Sequence, residues 1–187
     1  MLHACELRQG EHLLREGDVA KDIVLVVRGL LREYFVTDEG IEKTKAFVTA
    51  GGPSGSLADL LTGGPSHASI VAEETSRVLV GPYADYRALV DASVGWARLH
   101  AVLVEHLFLS KAIREYELLV HDAEARYARL EARYPGLETT VAAQHVASYL
   151  GITPVHLSRL RLKIDAGFGR PLLHTVRGIG YRLGTHV

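Results

Sequence analysis

The chain has 187 residues, 48% hydrophobic and 23% charged, a balance typical of a soluble globular protein with enough length for one large or two small domains. It shows no run of 18 apolar residues and no basic, then apolar, leader, which excludes a membrane span and a secretory signal and makes the cytoplasm the expected compartment. Cys5 is the single cysteine, so an intramolecular disulfide framework, a thiolate zinc site and an iron–sulfur cluster are excluded as well. The net charge of −1 conceals a split: residues 1–140 sum to −6 and residues 141–187 to +5. An acidic body with a basic end is the electrostatic outline of a protein that offers one part of itself to a polyanion.

Residues 1–92 read as β. The runs IVLVV (Ile23–Val27), LLREYFV (Leu30–Val36) and KAFV (Lys45–Val48) are rich in β-branched and aromatic residues. Turn signals at Gly17-Asp18, Arg28-Gly29, Asp38-Glu39-Gly40 and Gly51-Gly52-Pro53 bound them. Such spacing predicts a β-sandwich or β-roll. A Gly/Pro/Ser-rich segment from Gly51 to Ser69 follows, and then two further strand candidates, SIVAEE and SRVLVG. Residues 93–121 change period. Leu99, Val102, His106, Leu109, Ile113, Tyr116 and Val120 alternate at spacings of three and four, the a/d seam of a helix about three heptads long. A long helix leaving a β domain has little of that domain to lie on, so the seam is expected to pair with a second copy, with His106 tolerated in its core.

Residues 122–187 predict short helices and a hairpin. AEARYARLEARYPGLE is amphipathic and stops at Pro135-Gly136. From Ala143 to Leu162 the chain fits a helix-turn-helix. Val146, Ala147 and Leu150 form the inner face of the first helix, Gly151 supplies a positive φ, and Ile152 tucks the turn inward. Thr153 caps the second helix, with Pro154 at its first position and Leu157 and Leu160 turned to the core. The outward face is then Val155, His156, Ser158, Arg159 and Lys163, with Arg161 on one flank and no acid before Asp165. In a major groove Arg159 can make two hydrogen bonds to guanine O6 and N7, His156 and Ser158 can donate or accept, and Val155 can touch a thymine methyl. Lys163 and Arg161 suit phosphates. The competing reading, a helical hairpin inside an ordinary core, leaves that acid-free face without a purpose.

These residues carry a family likeness. LLREGDVAKDIVLVVRGLLREYFVTDEGIE resembles the opening of a cyclic-nucleotide-binding-type β-roll, and DAEARYARLEARYPGLE followed by VASYLGITPVHLSRLR resembles one branch of the Crp/Fnr transcription regulators. The resemblance implies an α+β chain: an N-terminal antiparallel β-roll (a cyclic-nucleotide-binding-like jelly roll), a long dimerisation helix and a C-terminal winged helix-turn-helix. It implies a homodimer that binds double-stranded DNA, with RNA polymerase as a further partner and a small-molecule effector sensed by the β-roll. It names no cofactor and no membrane partner. The family's nucleotide cassette has Gly-Glu-Leu and, further on, an arginine for the cyclic phosphate. Here Ser56 stands in the glutamate's place and Ser66-His67 in the arginine's, and a buried phosphate without its cationic partner is costly. Cyclic nucleotide is therefore not the expected effector by that cassette; the alternative is a cyclic-nucleotide-responsive regulator whose cassette has diverged. The tail, VHLSRLRLKIDAGFGRPLLHTVRGIGYRLG, resembles the end of an OmpR/PhoB-type winged helix. That likeness places Thr175, Val176, Arg177, Gly178, Gly180 and Tyr181 in the wing. The candidate DNA-binding residues are thus Thr153, Val155, His156, Ser158, Arg159, Arg161, Lys163 and, through this second likeness, Arg177.

An enzyme is not expected. A cupin-type metal barrel has a similar strand pattern, but His3, His12 and His67 of the β region do not fall at paired-ligand spacing. No Ser-His-Asp or Cys-His constellation, phosphate-cradling loop or phosphoacceptor arrangement stands out.

Overall fold

The structure is a computed structural model, and it describes residues 2–166, 173–176 and 180–183. Two four-stranded antiparallel sheets form the first part of the chain. One has the order β1 (His3–Leu7), β8 (Ser76–Pro82), β3 (Asp22–Arg28), β6 (Pro53–Ser54); the other runs β2 (His12–Leu14), β7 (Ser69–Ala72), β4 (Leu30–Val36), β5 (Glu42–Thr49). Alternation along each strand turns one set of side chains inward. Leu7, Val24, Val26, Val78 and Val80 of the first sheet meet Leu31, Ile70 and Ala72 of the second in a continuous apolar core. Gly29 makes the β3–β4 turn possible. Its φ is +101°, and a Cβ there would lie 2.6 Å from the Cα of Ser76, whose hydroxyl accepts the Leu30 N–H.

The opposite face of the second sheet carries charge. Arg32 is buried over the ring of Tyr34, 4.3 Å from its centroid, and pairs with Glu73 and, at 2.7 Å, with Glu42. Burial of a guanidinium is tolerable only with such partners.

Two helices interrupt the region read from sequence as wholly β. α1 (Leu57–Thr62) lies inside the Gly/Pro/Ser-rich segment, and α2 (Tyr83–Ala92) follows Pro82. α1 is closed by Gly63 at φ +71°, whose N–H bonds back to the Asp59 carbonyl. Six residues between glycines are too few to display a helical period, so the sequence carries no sign of this helix. β1 and β2 are likewise strands that the sequence reading did not name.

α3 (Val94–Val120) runs 27 residues. The chain divides into two compact units, residues 1–111 and 112–187, with the division inside this helix. The second unit holds the end of α3, α4 (Ala123–Arg133), a 3-10 turn (Leu137–Thr139), α5 (Ala143–Leu150) and α6 (Pro154–Ala166). A hairpin of β9 (Leu173–Val176) and β10 (Gly180–Leu183) completes it, with Leu173 opposite Leu183 and Val176 opposite Gly180. Asp122 caps α4, its carboxylate accepting the Ala125 N–H at 2.8 Å. Leu130, Leu137, Val141, Val146, Leu150, Leu157 and Leu160 are buried in the core of this unit. No helix among the described residues is long and apolar enough to cross a membrane.

Candidate nucleic-acid interface

α5 and α6 are joined by Gly151, Ile152 and Thr153. Gly151 takes φ +68° and ψ +33°, and the N–H groups of Gly151 and Ile152 return to the last carbonyls of α5, with Ile152 bonding Ala147 O at 3.0 Å. A Cβ on Gly151 would also lie 3.2 Å from Leu118. Thr153 begins α6: its Oγ1 accepts the His156 N–H at 3.1 Å, and its carbonyl accepts Leu157 N–H. Pro154 follows at the position where a missing N–H costs nothing. The turn is therefore built by local chemistry before any packing.

Packing then fixes which face α6 shows. Leu157 is fully buried and Leu160 nearly so, whereas Val155, His156, Ser158, Arg159 and Lys163 are exposed. Arg159 makes no hydrogen bond or ion pair among the described residues. Lys163 reaches the carboxylate of Glu124 on α4 at 2.8 Å, an exposed pair screened by solvent and easily exchanged. Thr153 is exposed, with its hydroxyl oxygen accepting the capping bond.

Arg161 departs from the sequence reading. It is 4% exposed, and its Nη2 lies 2.5 Å from Glu138 Oε1, with Glu138 also 4% exposed at the side chain. Tyr127 donates its hydroxyl to the other Glu138 oxygen at 3.1 Å. Burial opposes the charge on Arg161, but Glu138 outweighs it and holds the guanidinium above its ordinary pKa. Burial, and then the charge of Glu138, push the Tyr127 hydroxyl up. Arg161 is thus a core residue that neutralises Glu138, not a phosphate contact on the helix flank. The signal was in the spacing: Leu157, Leu160, Arg161 and Ile164 fall at i, i+3, i+4 and i+7, one face of a helix. Arg177, with Gly178, lies outside the described residues; Thr175 and Val176 belong to β9, Gly180 and Tyr181 to β10.

Three arginines that the sequence reading passed over hold the α5–α6 pair in place. Arg126 Nε donates to Leu150 O at 2.9 Å, and Arg114 donates to Tyr149 O while stacking 3.9 Å from that ring's centroid. Arg133 joins Glu117 at 3.0 Å to the Tyr149 hydroxyl at 3.1 Å. The last carbonyls of α5, which have no partner within the helix, are capped by cations, which also suits the negative end of its dipole. Burial, and then Tyr149, raise the hydroxyl of Tyr134 to about 12.

A polar cluster surrounds Glu33. Glu33 accepts from Ser54 Oγ at 2.9 Å and from Lys45 Nζ at 2.8 Å. Lys111 on α3 is held below its ordinary pKa, by burial first and then by Lys45, with Glu33 opposing. Ser56 and Ser66 are both buried. Among the described residues no group of three or more His, Cys, Asp or Glu side chains is placed to hold a metal ion.

Residues 4–93 match the model of the cyclic nucleotide-binding domain. The fumarate and nitrate reduction regulatory protein of Vibrio cholerae serotype O1 is 26% identical over 168 residues, which cover 82% of this chain and 65% of that protein's length. FixK2 from Bradyrhizobium japonicum shares the fold with a TM-score of 0.78 at 18% identity, over 99% of this chain and 93% of that one. The catabolite activator protein of Thermus thermophilus superposes with a TM-score of 0.53 at 26% identity, over 98% and 85% of the two chains. The first of these is named as a regulatory protein and the last as an activator. The chain is thus similar to these proteins in sequence and fold, and its residues 4–93 match the cyclic nucleotide-binding domain family.

Proposed function

We propose that the chain is a sequence-specific, DNA-binding transcription regulator that acts in the cytoplasm as a homodimer. Its parts are a β-roll over residues 1–92, a dimerisation helix over 93–121 and a winged helix-turn-helix over 122–187. The observation that carries this reading is the exposed face of α6: Val155, His156, Ser158 and Arg159 at the capped beginning of the helix, with Arg159 free of any partner among the described residues. The N-terminal residues of a helix lying in the major groove are the ones that meet base edges. Arg159 reads a guanine, His156 and Ser158 read polar edges, Val155 packs on a thymine methyl, and Lys163 exchanges Glu124 for a phosphate. Arg177, which lies outside the described residues, is the further backbone contact implied by the OmpR/PhoB-type likeness.

The homodimer rests on α3. Val102, Leu109, Tyr116 and Val120 of its seam are each more than half exposed, an apolar stripe that a single chain leaves uncovered. A two-fold axis along this seam would present two α6 helices to successive turns of DNA, with RNA polymerase a partner of the bound dimer. The β-roll is the sensing end. Although its matched model is named for cyclic nucleotides, Ser56 and Ser66 leave a phosphate without an arginine, so calorimetry with cAMP and cGMP should show no binding. Gel shifts test the reading of α6: Arg159→Ala should lose about 1–3 kcal/mol of specific affinity and relax the preference at one position per half-site. Retention of wild-type affinity and preference by that variant would remove Arg159 from the interface.

A further inference from the structure

Asp59 is a buried carboxylate that neither the DNA-binding face nor the core requires. It sits on α1 with 4% of its surface exposed, and donors converge on both of its oxygens. Oδ2 accepts from Ser56 Oγ, from the His67 backbone N–H at 3.2 Å and from Ser66 Oγ at 3.0 Å; Oδ1 accepts from His67 Nδ1 at 2.7 Å. Ser66 Oγ is also 2.9 Å from Ala68 O, so its one proton is shared between the two acceptors. One of these donors is fixed independently of Asp59. Ser66 is pinned through its backbone, its N–H to Asp18 O at 2.7 Å and its carbonyl to Gly17 N–H at 2.8 Å. Ser56 and Ser66 are 5% and 2% exposed. His67 alone reaches solvent, its side chain 81% exposed, and it covers the carboxylate from outside.

Two hydroxyls, a backbone N–H and an imidazole on one small volume make a receptor for an oxyanion. Such donors lose far more when left without an acceptor than when bonded to one, so the cradle must be filled for the segment to keep its shape. Here the chain fills it. The occupant is tethered, and it takes up every donor that a free anion of similar size would use.

We infer that Asp59 is an internal anion: its carboxylate permanently occupies an oxyanion-binding cradle of Ser56, Ser66 and His67 in the β-roll, so that this segment is held in its filled conformation without a phosphate- or carboxylate-bearing ligand. The inference concerns the β-roll alone and does not rest on the reading of α6. It goes beyond the absence of an arginine, because it makes the cradle functional once it is vacated. Removing the carboxylate should convert an internally filled site into one that takes small oxyanions from solution.

The test uses the full chain, with formate and inorganic phosphate as probes and chloride at equal ionic strength as control. Wild-type thermal unfolding should be indifferent to the choice of anion. Asp59→Ala should unfold several degrees lower and recover at least half of that loss in millimolar formate or phosphate but not in chloride, with the same anions binding by calorimetry. Recovery by phosphate but not formate would still show the cradle, sized for the larger anion. An alanine variant as stable as wild type, or one whose loss no oxyanion reverses, overturns the inference. Should that variant fail to fold, Asp59→Asn decides. A neutral isostere is expected to unfold several degrees below wild type, and equal stability of the two would show that the cradle does not need an anion.

Discussion

At the scale of single residues, buried charges are where this chain commits most to a definite structure. Arg161 and Glu138 are both 4% exposed at the side chain, and removing one partner would strand the other. Arg161→Met should therefore cost about 3–5 kcal/mol of folding stability in urea denaturation, and adding Glu138→Gln should recover a large part of that. The residual DNA affinity of the folded double variant should keep the wild-type salt slope, since Arg161 contacts no phosphate; a slope reduced by about one would return it to the interface. Asp59 makes a second residue-scale prediction. Burial opposes its ionisation, yet the bonds from Ser56, His67 and Ser66 outweigh burial and hold the carboxyl at about 2, below its ordinary 3.8. The unfolded chain thus takes up the proton first on acidification. The stability due to Asp59 is complete above about pH 5 and fades as the pH falls towards 2, a contribution of about 2 kcal/mol. Urea midpoints of wild type and Asp59→Asn should differ at pH 6 and converge below pH 3; a constant gap would contradict the assignment.

At the scale of elements, sequence was most legible where local chemistry decides. Gly151, Thr153 and Pro154 encode a turn and a cap that need no distant partner, so the α5–α6 pair could be read from some twenty residues. The long α3 was equally legible from its repeat of three and four. α1 was not, because six residues between glycines carry no period, and with it went Asp59, whose carboxylate accepts four hydrogen bonds. Nor were Arg114, Arg126 and Arg133 legible: their partners lie 16 to 35 residues away, on carbonyls and a hydroxyl that any sequence offers. Arg161 shows the reverse error, a residue whose helical phase was readable but whose charge suggested the surface. The turn itself is open to test. Gly151→Ala must hold alanine at φ +68° and press on Leu118, so it should lose about 1–3 kcal/mol with a matching fall in melting temperature. An unchanged melting temperature would mean that the α5–α6 turn relaxes without loss.

At the scale of the whole molecule, charge and apolar surface are distributed in keeping with the proposed role. The basic end of the chain contains α6, and the uncovered apolar stripe lies on α3. Neither feature stabilises a lone chain: the first concentrates like charge, and the second leaves large side chains in water. In the proposed dimer both have a use: a second copy covers the stripe and a polyanion meets the basic ends. With the cradle of the β-roll filled by Asp59 as proposed, the unliganded chain is expected to be competent for DNA. Selection of binding sites from random duplexes by the purified, unliganded chain, followed by footprinting of the winners, tests this account most directly. It predicts a near-palindromic site with two half-sites about 10 base pairs apart, or a multiple of one turn, protected by two chains. Recovery of no preferred sequence, or of a single half-site bound by one chain, would contradict it.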